Sequence, residues 1–121
     1  MILSHMTNQA VALDRIFHAL ADPSRRMIVE RLIGGPASVS ELARPLPMAL
    51  PTVVQHLRVL EDCGLIGSTK VGRVRTCHIE PAPLTAAERW ITEQRALWEG
   101  RLDRLDRYLK ELQAKDGAGT T

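Results

Sequence analysis

Hydrophobic positions along the chain fall into short runs at helical spacing, separated by proline, glycine and small polar residues. Val11, Ile16, Phe17 and Leu20 lie near one face of a first helix over roughly residues 9–20. Asp22-Pro23 then places an N-cap residue before a proline at the first helical position, which favours a new helix start. That second helix carries Met27, Ile28, Arg31 and Leu32 and stops at Gly34-Gly35-Pro36. Ser38-Val39-Ser40-Glu41 has the spacing of a capping box and opens a short third helix through Leu42 and Ala43. Pro45 and Pro47 close it.

A fourth helix is predicted from about Leu50 to Asp62, with Pro51 tolerated in its first turn. With Val53 at the centre of the buried face, Leu57 and Leu60 follow on the same stripe. The opposite side then shows Pro51, Thr52, Gln55, Arg58 and Val59, with Asp62. Gly64 ends this helix and Leu65-Ile66 leads into a strand. Val71-Gly72-Arg73 reads as a hairpin tip, and Val74 to Ile79 returns as the second strand. Glu80-Pro81-Ala82-Pro83 breaks the chain before a second capping box, Thr85-Ala86-Ala87-Glu88. The last helix carries Leu84, Ala87, Ile91, Trp98, Leu102, Leu105, Leu109 and Leu112 in a near-heptad stripe, with Gln94 at one seam position. At about 28 residues it would be roughly 42 Å long, more than one such domain needs for its own core. Part of the stripe is therefore expected to meet another chain, through Ile91, Trp98, Leu102, Leu105 and Leu109.

The chain has 121 residues, one domain's worth, with 45% hydrophobic and 25% charged residues. Residues 1–8 resemble a cloning scar or a disordered start, 9–114 the folded domain, and 115–121 a flexible polar tail. No apolar run approaches the roughly 18 residues of a membrane span, and the N-terminus has no secretory signal pattern. Two cysteines, Cys63 and Cys77, are too few for a stapled secreted domain, so a cytoplasmic location is expected. Net charge is only +2 with an isoelectric point near 8.8, so the placement of charge matters more than its sum. From Ile66 to Ile79 there are Lys70, Arg73 and Arg75 and no acid, a pattern suited to phosphates.

Helix, helix, short helix, helix with a polar face, then a basic hairpin is the order of a winged helix-turn-helix. The fold class is mainly α with a two-stranded β wing and a long C-terminal dimerisation helix. The residues carrying this order, Asp22-Pro23-Ser24-Arg25-Arg26, the run SVSELARPLPMALPTVVQHLRVLEDCGLI and the wing KVGRVRT, resemble the ArsR (arsenic-repressor-like) transcriptional regulators over about residues 10–112. The resemblance implies a homodimeric repressor that reads double-stranded DNA at an inverted repeat. It puts the fourth helix in the major groove and the wing on the flanking backbone. The residue chemistry agrees: Thr52, Gln55 and His56 offer donors and acceptors, and Gln55 can bridge adenine N6 and N7. Pro51 and Val54 share that surface, and Val54 offers a methyl surface to thymine. Arg58, Lys70, Arg73 and Arg75 suit phosphates. Relatives often have serine where this chain has Ala49, a poor N-cap, and Val54.

Family members that sense metals use thiols on the third helix or histidine and acids on the last. Here the third-helix region reads Glu41-Leu42-Ala43-Arg44-Pro45 and the last helix has no histidine, so the chain resembles the metal-independent branch, with no metal site and no cofactor expected. The small-molecule effector is left unnamed. There is no Gly-rich phosphate loop, His-Glu-x-x-His or nucleophile elbow, and catalysis is not expected. Two alternatives stand beside this reading: a winged-helix protein-interaction module, and a thiol-responsive repressor using Cys63 and Cys77. At residue level, His56 is open between DNA contact and packing, and Arg25-Arg26 between phosphate contact and a solvated helix start. His18 and His78 read as surface or satisfied structural groups, and Trp90, Trp98 and Tyr108 as core or interface aromatics.

Overall fold

The structure, a computed structural model, describes residues 2–119. Its elements run α1 (Ile2–Leu20), α2 (Pro23–Ile33), β1 (Ala37–Ser38), α3 (Val39–Ala43), α4 (Leu50–Asp62), β2 (Ile66–Val71), β3 (Val74–Ile79) and α5 (Pro81–Gly119). The chain divides into two compact units, Met1–Ala87 and Glu88–Thr121. α1 starts at Ile2, ahead of the expected residue 9, and the side chain expected of Val11 lies outside the described residues. α5 stays helical through Gly119 within the expected tail, of which Thr120 and Thr121 lie outside the described residues. No described helix is long and apolar enough to cross a membrane.

The first unit is built on one core. Ile16 and Ala19 of α1, Ile28, Val29 and Leu32 of α2, and Leu42 after β1 are buried together with Val53, Leu57 and Leu60 of α4. Of the residues the sequence places on the second helix, Met27 stands exposed, while Val29 is buried beside Ile28 and Leu32. The sheet contributes Ile66 and Cys77. Its order is β1-β3-β2, all antiparallel, so the wing has a third, two-residue strand that the sequence did not announce. Ala37 pairs with Cys77 and Ser38 with Thr76, which ties the start of α3 to the wing.

Helix ends are closed by side chains. Asp22 Oδ2 accepts the Arg25 backbone N–H at 3.0 Å, capping α2 with Pro23 in its first turn. Ser38 Oγ accepts the Glu41 N–H at 3.2 Å and donates to Glu41 Oε1, so half of the expected capping box forms, while the backbone of Ser38 is in β1. Ala49 gives α4 no side-chain cap. At the other end of α4, Gly64 takes φ +79° and its N–H donates to Glu61, while the Leu65 N–H donates to Leu60. That left-handed cap turns the chain into β2. The expected capping box at Thr85 does not form. α5 already begins at Pro81, and Thr85 Oγ1 donates to the Pro81 carbonyl at 3.1 Å, within the first turns. Prolines near a helix start lack only N–H groups that have no partner there, so Pro81 and Pro83 open the helix that they were expected to precede.

The second unit is the remainder of α5. Lys110 and Asp106 pair across one turn at 3.1 Å. Ile91, Trp98, Leu102, Leu105 and Leu109 are all between 44% and 58% exposed.

The Asp22 carboxyl is held below its ordinary value, chiefly by accepting the Arg25 backbone N–H, with the Arg25 charge also lowering it against the cost of burial. A depressed carboxylate stabilises the fold above its ordinary pKa, about 3.9, and that contribution fades as pH falls through its folded value. Asp22→Ala should cost about 0.5–2 kcal/mol at neutral pH, and the gap to the parent chain should narrow as pH drops from about 4 towards 2. Urea unfolding across that range checks it. A gap that stays constant into acid would rule out the carboxylate as the cap.

Candidate nucleic-acid interface

α4 buries Val53, Leu57 and Leu60 and turns Pro51, Thr52, Val54, Gln55 and Arg58 outwards. The outward face is narrower than the helical wheel implied. Val59 packs against the core, and Asp62, though exposed, lines a cavity of about 610 Å³ on the α1 side with Asp14 and His18. Tertiary packing on two sides of α4 therefore narrows its free face to Pro51, Thr52, Val54, Gln55 and Arg58.

The wing supplies the charge. Its tip is the two-residue loop Gly72-Arg73 between the paired Val71 and Val74, and Gly72 alone of the two has positive φ (+62°), as a type II′ turn requires. Ser68 pairs with Cys77 and Lys70 with Arg75. Side chains alternate along a strand, so Lys70 and Arg75 share the face of the buried Cys77. They lie beyond the edge of the core, and with Arg58 and Arg73 they line a cleft of about 370 Å³ between α4 and the wing, walled by Val54 and Leu57. Glu61 is the one acid on its lining. Two cations directly opposite on adjacent strands repel, a cost that an anion in the cleft would remove. Arg75 Nη1 donates to Ser68 Oγ at 3.1 Å, which aims the guanidinium.

Eight of the nine candidate DNA-contacting residues are exposed: Pro51, Thr52, Val54, Gln55, Arg58, Lys70, Arg73 and Arg75. His56 is the exception. Its side chain is 17% exposed, and its Nδ1 lies 3.2 Å from Arg25 Nη1 and 3.9 Å from Asp22 Oδ2. This placement suits packing and not a base contact. Arg25 and Arg26 reach back to the end of α1: the half-buried Arg25 donates to the carbonyls of Ala19 (2.7 Å) and His18 (3.2 Å), and Arg26, which stays exposed, to that of Leu20 (2.7 Å). They satisfy the carboxyl end of α1, where cations are favoured. These bonds add a helix-closing role that neither open reading of the pair, phosphate contact or solvated helix start, included. Glu61 and Ser68 join the site without having been singled out, and Asp22, read from the sequence only as a helix cap, stands beside His56. Strand register would have paired Ser68 with the Lys70–Arg75 face, whereas the other two depend on packing between helices.

His78 Nε2 pairs with Glu80 Oε1 at 2.8 Å, and its ring covers Gly67, where a Cβ would lie 2.6 Å from Nε2. Both cysteines are free. Cys77 is fully buried, and burial pushes its thiol up, with Glu61 acting the same way and Arg75 opposing. Cys63 is half-buried and donates through Sγ to the Leu60 carbonyl. Among the described residues no group of three or more His, Cys, Asp or Glu side chains is placed to hold a metal ion.

Comparison with known proteins is consistent with this geometry. Residues 20–68, from the end of α1 into β2, match a family described as a helix-turn-helix domain. Over 73 residues the chain is 48% identical to the HTH-type transcriptional regulator Rv2034 of Mycobacterium tuberculosis, covering 60% of this chain and 68% of that one. The crystal structure of an ArsR family transcriptional regulator, RHA00566, matches at 56% identity and a TM-score of 0.72, over 74% of this chain and 93% of its own. A homodimeric winged helix-turn-helix DNA-binding domain of Mycobacterium bovis, Mb0332, shares the fold at 24% identity and a TM-score of 0.58, over 78% of this chain and 86% of its own.

Two outcomes follow from the cleft and the thiols. Lys70→Glu replaces a repulsive cross-strand pair by an attractive one, so the free protein should gain about 0.2–1 kcal/mol towards denaturant, while its binding to any duplex weakens. Destabilisation together with unchanged duplex affinity would contradict the cleft's role. For the cysteines, an alkylating reagent should modify one thiol per chain (Cys63) in the native protein and the second only on unfolding. Two thiols reacting at equal rates in the folded chain would revive a cysteine switch.

Proposed function

We propose that this chain, which belongs to the ArsR family of winged helix-turn-helix transcriptional regulators, works as a homodimeric repressor on an inverted-repeat operator. That it is a DNA-binding transcriptional regulator is the common content of its relatives. The single observation that carries the finer reading is the continuity of the outward face of α4 with the basic cleft to the wing. A helix face of hydrogen-bonding and methyl groups, flanked by four cations, matches a major groove flanked by phosphates. Gln55 and Thr52 read base edges, Val54 meets a thymine methyl, and Pro51 fits the close approach at the helix start. Arg58, Lys70, Arg73 and Arg75 fix register on the backbone. The work is binding, with no catalytic step assigned, and no metal or cofactor is required for it.

The exposed stripe Ile91, Trp98, Leu102, Leu105 and Leu109 supports pairing of α5 with its copy around a two-fold axis. A two-fold dimer sets two recognition helices about 34–36 Å apart, one turn of DNA, and hence an inverted repeat. Its second half-site contact is intramolecular, which adds about two to four orders of magnitude in affinity. Two free cysteines support a cytoplasmic location.

Selection of bound sequences from a random duplex pool tests the reading. The expected product is an inverted repeat with centres about 10 base pairs apart. Recovery of no enriched sequence would overturn it and favour a protein-binding winged helix. On the selected duplex, Gln55→Ala should cost about 1–3 kcal/mol and relax preference at one base pair per half-site. Arg73→Ala with Arg75→Ala should instead weaken selected and scrambled duplexes alike and flatten the salt dependence. Leu105→Glu should be monomeric by sedimentation, keep its helical circular dichroism and lose tight operator binding, because a dimer would bury two unpaired carboxylates. A monomeric variant that binds the operator undiminished would show that the dimer is not the reading unit.

A further inference from the structure

We propose that Arg25 is a positioning residue for DNA reading, holding α4 to the end of α1 through His56 without itself touching DNA. The inference rests on the reading of α4 as the recognition helix. A guanidinium only donates, and its donors leave one plane in fixed directions. In Arg25 three of them are committed: Nε to the Ala19 carbonyl at 2.7 Å, Nη2 to the His18 carbonyl at 3.2 Å, and Nη1 towards His56 Nδ1 at 3.2 Å. The first two acceptors belong to the last turn of α1, where carbonyls lack intrahelical partners and the helix dipole is negative. The third lies on α4, directly after Gln55 and two residues before Arg58. Since Arg25 cannot accept, His56 Nδ1 is the acceptor in this contact.

Asp22 completes the joint. Its carboxylate accepts the Arg25 N–H and stands 3.9 Å from His56 Nδ1. One side chain therefore connects α1, α2 and α4, with an adjacent counter-charge. Three of the five N–H groups of this guanidinium are spent inside the fold, which fixes its plane against α1 and α4. Lysine, a point charge, cannot reproduce three coplanar bonds.

The joint acts on reading more than on attachment. Bidentate contacts to base edges tolerate shifts of roughly 0.5 Å, whereas long cations on the wing follow phosphates over a wider range. Loosening α4 should therefore lower the ratio of selected to scrambled duplex affinity and leave the scrambled affinity intact. Removal of a phosphate contact would do the opposite, lowering both affinities and the salt slope by about 0.9.

The test uses the full chain, the duplex recovered by selection and a scrambled duplex of equal length, with anisotropy titrations over a salt series. Arg25→Gln and His56→Leu should each lower the selected-to-scrambled ratio about tenfold at unchanged salt slope, and the double variant should lose no more than either alone. His56→Gln restores an acceptor on α4 and should lose less than about threefold. His56→Leu cuts only the α4 end, so it reports even where Arg25→Gln folds poorly. Denaturant unfolding of the same chains without DNA measures the link by itself, and its Arg25–His56 cycle should be non-additive. A ratio unchanged in both single variants, additive losses in either cycle, or a salt slope reduced in Arg25→Gln would each overturn the proposal while leaving α4 as the reading helix. An unmutated chain with no sequence preference at all would instead bring down the reading on which the proposal rests.

Discussion

The carboxyl end of α1 and the amino end of α2 are closed by four neighbouring residues, Asp22, Pro23, Arg25 and Arg26, and the rest of the first unit depends on that closure. α2, α3 and α4 span 11, 5 and 13 residues, so most of their peptide groups lie in first or last turns. Four N–H and four C=O groups per helix have no partner within the helix. Asp22 and Pro23 settle the start of α2, and Arg25 and Arg26 reach back to His18, Ala19 and Leu20. The corner is thereby rigid enough for Ile16, Ala19, Ile28 and Leu32 to share a core with α4. At the far end of α4, Gly64 and Leu65 direct the chain into the wing, and β1 clips the start of α3 to β3.

This scaffold leaves one face unsatisfied in both senses that matter. Lys70 opposite Arg75 is a poor arrangement for a hairpin on its own, and a neutral or mixed pair would be more stable. The exposed Val54, Gln55 and Arg58 likewise add little to the core. Such surface is reasonable only where a polyanion completes it. Cys77 at the floor of the cleft is packing, with its thiol pushed up by burial, and so lies on the structural side of this division.

The second unit has an analogous incompleteness. Five apolar residues at near-heptad spacing stay about half exposed along α5, and charges such as Lys110 and Asp106 pair within the helix at i, i+4 spacing. A helix of this kind is stabilised in water mainly by what covers its stripe.

Much of this was legible in the residues taken in order. Asp22-Pro23, Ser38 with Glu41, the Val53–Leu57–Leu60 stripe, Gly64 and the Gly72 tip are signals contained within one or two helical turns or a two-residue loop. Backbone geometry alone gives them meaning, so the sequence determined five helices, a hairpin and the outward position of Thr52, Gln55 and Arg58. What it left undecided depends on groups far apart in the chain. A two-residue β1 carries no periodicity of its own and exists because Thr76 and Cys77 come beside it. Thr85 looks like a cap until Pro81 starts the helix earlier. Val59 sits on the outward arc of an isolated α4 and is covered only by the packed core. Arg25, Arg26 and His56 stay open in the sequence between DNA contact and a packing or solvated role because charge and donor count are local properties. Whether a donor faces water, phosphate or an orphan carbonyl is settled by which helix end folds against it, and only the tertiary structure brings the end of α1 to Arg25.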